Sequence, residues 1–261
     1  MTTGNILTTD SLSVTFGGVR ALAAVSINVK EGEILSIIGP NGAGKTTFFN
    51  AITGTCPPTS GQVFLAGQDI TAKSPDEVAR LRMARSFQNL KPFPEMTLLE
   101  NVLIGREIHM TTGILATILR LPAFFADEAE QKCRARDLLA FVGLEHRRDH
   151  LARNLTYGER KMLEIARALA LEPTLLLLDE PVAGMNPTET GFVMELVQNI
   201  RRQGITVVII EHDMKMVMGI SDRIYVLDHG ELIAEGAPHE VRANPAVIEA
   251  YLGGGTHAPT H

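Results

Sequence analysis

The chain has 261 residues, 45% of them hydrophobic, which is enough apolar material for one large domain or two small ones. Its net charge is −6, from 24 basic and 30 acidic residues with no basic tract, and this argues against nucleic acid as a partner. Cys56 and Cys133 match no metal-ligand spacing and read as reduced thiols, and the first residues lack the charged and apolar regions of a secretion signal.

Residues 6–16 alternate in part (Leu12, Val14, Phe16) and predict a strand. Gly17-Gly18 turns it into a second strand, Ala24–Val29, and Lys30-Glu31-Gly32 turns the chain again into an apolar run ending at Gly39. The stretch Gly39-Pro40-Asn41-Gly42-Ala43-Gly44-Lys45-Thr46-Thr47 then has the spacing G-x-x-x-x-G-K-[ST], and a helical pattern closed by Gly54 follows it. Strand, loop and helix in this order suit a polyphosphate. Backbone N–H groups surround such an anion only where no Cβ blocks approach, hence Gly39, Gly42 and Gly44. A helix starting near Gly44 aims its unpaired N–H groups and positive dipole end at the same charge. Lys45 is expected to reach the β- and γ-phosphates, and the Thr46 hydroxyl to ligate Mg²⁺.

Gly61–Leu65 reads as a short strand, so an antiparallel sheet is expected beside the nucleotide core. Ser74-Pro75-Asp76-Glu77 is a helix start. Arg85–Gln88 predicts a strand leading into an exposed loop with Pro92 and Pro94. From Thr97 to Leu171 only helices and loops are expected, including Asp127–Val142, ended by Gly143, and Gly158–Leu171. Gly113–Phe125 is the longest apolar stretch outside the strands. As a helix it extends about 20 Å against about 30 Å of hydrocarbon, too short to span a membrane.

Thr174–Leu178 predicts an apolar strand that ends in Asp179 and Glu180. Asp179 is expected to hold Mg²⁺ beside Thr46, and Glu180 to polarise an attacking water. Glu189–Gln203 follows as a helix, then a strand at Ile205–Ile210 that delivers His212 to the same sheet edge. A helix at Asp213–Gly219, a strand at Arg223–Leu227 and its hairpin partner Leu232–Ala234 complete the pattern. Unbroken apolar strands indicate an α/β sheet covered on both faces. The expected organisation is one domain, 6–252. Its core spans 6–89 and 166–252, a helical subdomain inserts at 90–165, and a small polar tail occupies 253–261.

These motifs, in this order, resemble those of ABC transporter ATP-binding subunits. Gln88, in Ser86-Phe87-Gln88-Asn89-Leu90, matches the family's Q-loop glutamine, and Leu155-Thr156-Tyr157-Gly158-Glu159 stands where the family carries its signature. Asp179 and Glu180 match the second nucleotide motif, Ala183-Gly184-Met185-Asn186 the D-loop and His212 the switch histidine, while Phe16 sits where an aromatic ring stacks on adenine. Tyr157 replaces a glycine of the usual signature, and Asn186 a frequent aspartate. Within the family the chain is most similar to LivG-type subunits of branched-chain amino acid importers, through residues 155–159, 181–190, 210–223 and 244–253.

The resemblance implies a P-loop NTPase core with an antiparallel β subdomain and an inserted α-helical subdomain. It implies ATP hydrolysis with ATP and Mg²⁺, Lys45, Gln88, Glu180 and His212 being catalytic and Thr46, Gln88 and Asp179 holding the metal. The signature serves the nucleotide of a second ATP-binding subunit, either a LivF-type chain or a second copy. Two transmembrane permease subunits and, indirectly, a periplasmic substrate-binding protein are the further partners, at the cytoplasmic face of a bacterial inner membrane. Urea uptake and lipopolysaccharide export by related systems stay open as alternatives. A soluble ABC protein, or a P-loop kinase or GTPase, fits less well with a single motif set that includes the signature and the switch histidine.

Overall fold

The computed structural model describes residues 4–86, 92–109 and 122–253. Two sheets organise them. The larger has six strands in the order β11-β10-β4-β9-β8-β7: Glu231–Gly236, Arg223–Asp228, Ile34–Ile38, Thr206–Ile210, Leu175–Asp179 and Met83–Ser86. Every pair from β10 to β7 is parallel, and β11 closes one edge antiparallel. All five positions of β4, β8 and β9 are buried, as strands covered on both faces require. Their side chains alternate between two cores. Leu176, Leu178, Val207 and Ile209 face a helical layer, whereas Leu175, Leu177, Val208 and Ile210 face the second sheet. The register pairs Ile37 with Ile210 and Asp179 with Ile210, so β4, β8 and β9 end together at one edge.

The second sheet is built on β1, Asn5–Phe16, which pairs antiparallel with β2 (Val19–Val25), β3 (Asn28–Lys30) and β5 (Ser60–Leu65); the two-residue β6, Gln68–Asp69, extends it beyond β5. The single strand expected at Ala24–Val29 is therefore two. Hydroxyls take over the ladder at the break: Thr9 Oγ1 donates to Val25 O and accepts from Ile27 N–H, and Ser26 Oγ accepts from Ser11 N–H. Ser11 and Ala24 sit there at positive φ, which kinks both chains.

Helix α1, Lys45–Ile52, follows β4, and α2, Pro75–Arg80, starts at Ser74 as expected. The helical layer contains α3 (Leu98–Arg106), α4 (Pro122–Phe141) and α5 (Tyr157–Leu169), packed on one another. Reciprocal caps set two of the starts, Thr97 with Glu100 and Thr156 with Glu159. The helices α6 (Pro187–Arg202) and α7 (Met214–Ile220) flank β9 in sequence. Two short helices not foreseen from the sequence, α8 (Pro238–Ala243) and α9 (Pro245–Gly253), close the chain over β10 and β11. The edge strand β7 stops at Ser86, and Gln88 lies outside the described residues, as do most of Gly113–Phe125 and the tail after Gly253. No helix among the described residues is long and apolar enough to cross a membrane.

Candidate nucleotide site

The loop from β4 to α1 is fixed by its glycines, for two different reasons. At Gly39 (φ +151°) a Cβ would lie 2.0 Å from the Leu227 carbonyl oxygen, and at Gly44 (φ +100°) 2.5 Å from that of Ala21. Both positions are glycine because neighbouring backbone leaves no room. At Gly42 (φ +83°) the Cβ would meet nothing within 4 Å, so the open approach expected at all three is found here. The Gly230 N–H donates to Ala43 O and anchors the loop to the β10–β11 hairpin. Helix α1 has no side-chain cap and no acid in its first turn. The starts of α3, α5, α6 and α7 are each capped by a side chain, from Thr97, Thr156, Asn186 and Asp213. The amides of α1 are thus left for an anion.

Lys45 is buried, and its ammonium donates to Gly39 O at 2.6 Å and Pro40 O at 2.9 Å. Burial lowers its pKa, and the nearby carboxylates of Glu180 and Asp179 oppose that shift. Thr46 is exposed, Thr47 partly buried, and Phe16 is exposed at the end of β1. A cavity of about 840 Å³ borders the loop at Pro40, Asn41, Gly42 and Ala43.

Asp179, the last residue of β8, is 1% exposed, and its Oδ2 lies 2.7 Å from Arg85 Nη2. Arg85 also donates to Asn50 Oδ1 at 2.7 Å and rests 5.2 Å from the Phe49 ring centre. The sequence reading missed Arg85, whose carboxylate partner lies 94 residues away in the chain. Glu180 has φ +47°, a left-handed conformation that costs a side-chain-bearing residue roughly 1–2 kcal/mol. Its N–H donates to Ile210 O at 2.9 Å. Its Oε1 lies 3.6 Å from His212 Nδ1. Lys45, Asp179, Glu180 and His212 are thus gathered at the common end of β4, β8 and β9, where ligands of open α/β sheets bind.

The signature segment lies elsewhere in the chain. Leu155 is buried, and Thr156 Oγ1 accepts the Glu159 N–H at 3.3 Å while Glu159 pairs with Arg147. Tyr157, the first residue of α5, is half exposed, with its ring packed on Gly184, where an added Cβ would lie 3.5 Å away. Gly158 faces the Glu189 carboxylate. Asn186 accepts the N–H groups of Thr188 and Glu189, so this departure from the usual D-loop serves as the cap of α6.

A family model described as ABC transporter matches residues 22–183, and one described as Branched-chain amino acid ATP-binding cassette transporter matches residues 231–257. The high-affinity branched-chain amino acid transport ATP-binding protein LivG of Salmonella typhimurium (strain LT2) is 44% identical over 249 residues, 95% of this chain and 98% of that protein. BraF of Pseudomonas aeruginosa, described in the same words, is 43% identical with the same coverage. Among solved structures, a nucleotide-free ATP-binding cassette from an ABC transporter superposes with a TM-score of 0.83 at 37% identity, over 95% of this chain and 99% of that one. The ADP conformation of an ATP-binding cassette of an ABC transporter gives 0.84 at 38%, over 96% of this chain and 100% of that one.

Proposed function

Because the chain belongs to the ABC transporter ATP-binding family, we propose that it is the LivG-type subunit of a branched-chain amino acid importer, with Glu180 as the base that drives water onto bound ATP. One observation supports the site most directly: Lys45, Asp179, Glu180 and His212 meet at the shared strand ends, beside the uncapped start of α1. The phosphates lie on the amides of Gly42–Thr47 and on Lys45, whose ammonium turns to them from the loop carbonyls. Phe16 offers a face to the adenine. Glu180 takes the proton of the attacking water, and His212 orients Glu180 and steadies the terminal phosphate.

Asp179 and Thr46 supply the hard oxygen donors that Mg²⁺ prefers, few enough to leave positions for phosphate oxygens, so the residues present fit the ion. When bound, Mg²⁺ would neutralise phosphate charge. Gln88 joins them in this reading. The helical elements between residues 90 and 165 form a subdomain whose signature, Leu155–Glu159, serves the nucleotide held by a second ATP-binding subunit, of LivF type or a second copy. Two transmembrane permease subunits, fed by a periplasmic binding protein, complete the machine, with this chain at the cytoplasmic face of the membrane.

The Glu180→Gln variant is expected to bind ATP normally and to hydrolyse it at least ~100-fold more slowly, the size of a general-base contribution. Turnover within a few-fold of wild type would remove Glu180 from the role. Leucine uptake by cells carrying Lys45→Ala tests the cargo, and uptake at the wild-type rate would overturn it.

A further inference from the structure

Glu211 is a fully buried acid for which the hydrolytic scheme has no task. It sits between the last residue of β9 and His212. Its Oε1 accepts the Val182 N–H at 3.1 Å, and its Oε2 accepts those of His212 at 2.8 Å and Asp213 at 3.0 Å. One side chain therefore holds amides from two loops, the loop that leaves β8 with Glu180 and the loop that leaves β9 with His212. The residue before it adds a second tie, since Ile210 O accepts the Glu180 N–H. Ile210, the last residue of β9, and Glu211, the next, thus pin both ends of Glu180-Pro181-Val182, the segment in which Glu180 is held at φ +47°. A conformation so rarely populated persists only where its surroundings impose it. The contact demands a carboxylate, because both oxygens must accept and neither can donate.

We propose that Glu211 is a positioning residue for ATP hydrolysis, setting the approach of Glu180 to His212 by holding their loops together. The proposal rests on Glu180 acting as the base. Glu211 touches neither nucleotide nor water in this scheme; it acts through the placement of Glu180.

Two variants separate this role from a contribution to folding alone. Glu211→Gln keeps the volume but turns one acceptor into a donor, so it can satisfy Val182 or the His212–Asp213 pair and not both. Glu211→Asp keeps both acceptors but is one methylene short, so it serves its own loop and loses Val182. In the complex co-purified with its permease, each is expected to lower kcat for ATP at least about tenfold, as small misplacements of reacting groups do, with nucleotide affinity unchanged. Rates are normalised to bound nucleotide, so loss of folded protein alone would leave kcat intact. In a Glu180→Gln background, adding Glu211→Gln should slow single-turnover hydrolysis by no more than about twofold, since the group to be positioned is gone.

Wild-type kcat in either single variant, or the full tenfold loss repeated in the Glu180→Gln background, would overturn the proposal. Should the glutamine variant fail to fold, the aspartate variant carries the test. Wild-type turnover in Glu180→Gln alone would remove the base and this role with it. A slow Glu180→Gln beside fully active Glu211 variants would remove only the role of Glu211.

Discussion

Replacing Arg85 with methionine takes a cation from a place where both partners are out of solvent. The side chains of Arg85 and Asp179 are 5% and 1% exposed and 2.7 Å apart. Breaking such a pair from one side leaves a buried charge unmatched, at a cost of about 3–5 kcal/mol. Methionine keeps part of the packing against Phe49 but loses the donor to Asn50. For a chain of this size 1 kcal/mol moves Tm by roughly 2–4 °C, so a drop of roughly 6–20 °C is expected without ligand. In the proposed site Mg²⁺ with nucleotide would bring Asp179 a second cation, so ligand should raise Tm by more in the variant than in the parent. The comparison is made by scanning calorimetry in a Glu180→Gln background, which keeps the nucleotide intact. An unliganded Tm within about 2 °C of the parent would refute the energetic reasoning. An equal ligand-induced rise in both proteins would refute the claim that Arg85 and the metal share Asp179.

Lys45→Ala should weaken nucleotide binding at least about tenfold, since a charge-assisted bond to phosphate is worth about 1.5–3 kcal/mol; unchanged affinity in equilibrium titration contradicts the phosphate assignment. Thr156→Ala removes the cap of α5 and should cost about 1 kcal/mol in denaturant unfolding, while also slowing hydrolysis in the assembled transporter. Loss of stability with full activity would confine Thr156 to capping. Phe93 is exposed, with the Arg167 guanidinium 5.0 Å from its ring centre. We take this exposed loop after β7 as the permease contact: a cysteine at Phe93 should crosslink to a co-expressed permease, and no crosslink counts against it.

The phosphate loop was legible because its chemistry is local. Nine consecutive residues carry the glycines, the lysine and the hydroxyls, and a strand and a helix must flank them. Asp179 and Glu180 were legible because they end a leucine run downstream of that loop; alone they read as solvated acids after a buried strand. The break between β2 and β3 was not, since the hydroxyls of Thr9 and Ser26 replace ladder bonds and apolar periodicity is blind to that substitution. The closing helices α8 and α9 did announce themselves through Pro238 and Pro245 at their first positions, but each is too short for a periodic signal. Arg85 and Glu211 were invisible for a different reason. Their partners lie 94 and 29 residues away in sequence, and only the register of β7, β8 and β9 brings them together.

The same register bears on why the proposed site would need a second subunit. The starts of α1 and α5, which the proposed scheme assigns to two different nucleotides, are held by different neighbours. The loop before α1 is locked by Ala21, Leu227 and Gly230, at the sheet edge. The start of α5 is locked by Gly184 and Glu189, in the D-loop and α6. Thr156 Oγ1 accepts the Glu159 amide, and the residues that hold this start, Arg147, Gly184 and Glu189, lie outside its own chain's phosphate loop. A nucleotide on α1 would then be completed by an α5 from outside. The D-loop lies between these two systems. Tyr157 of the signature packs on Gly184, and two residues earlier Val182 is tied to Glu211. The start of α5 and the Glu180–His212 pair are thus linked through contacts that span the residues from Val182 to Gly184.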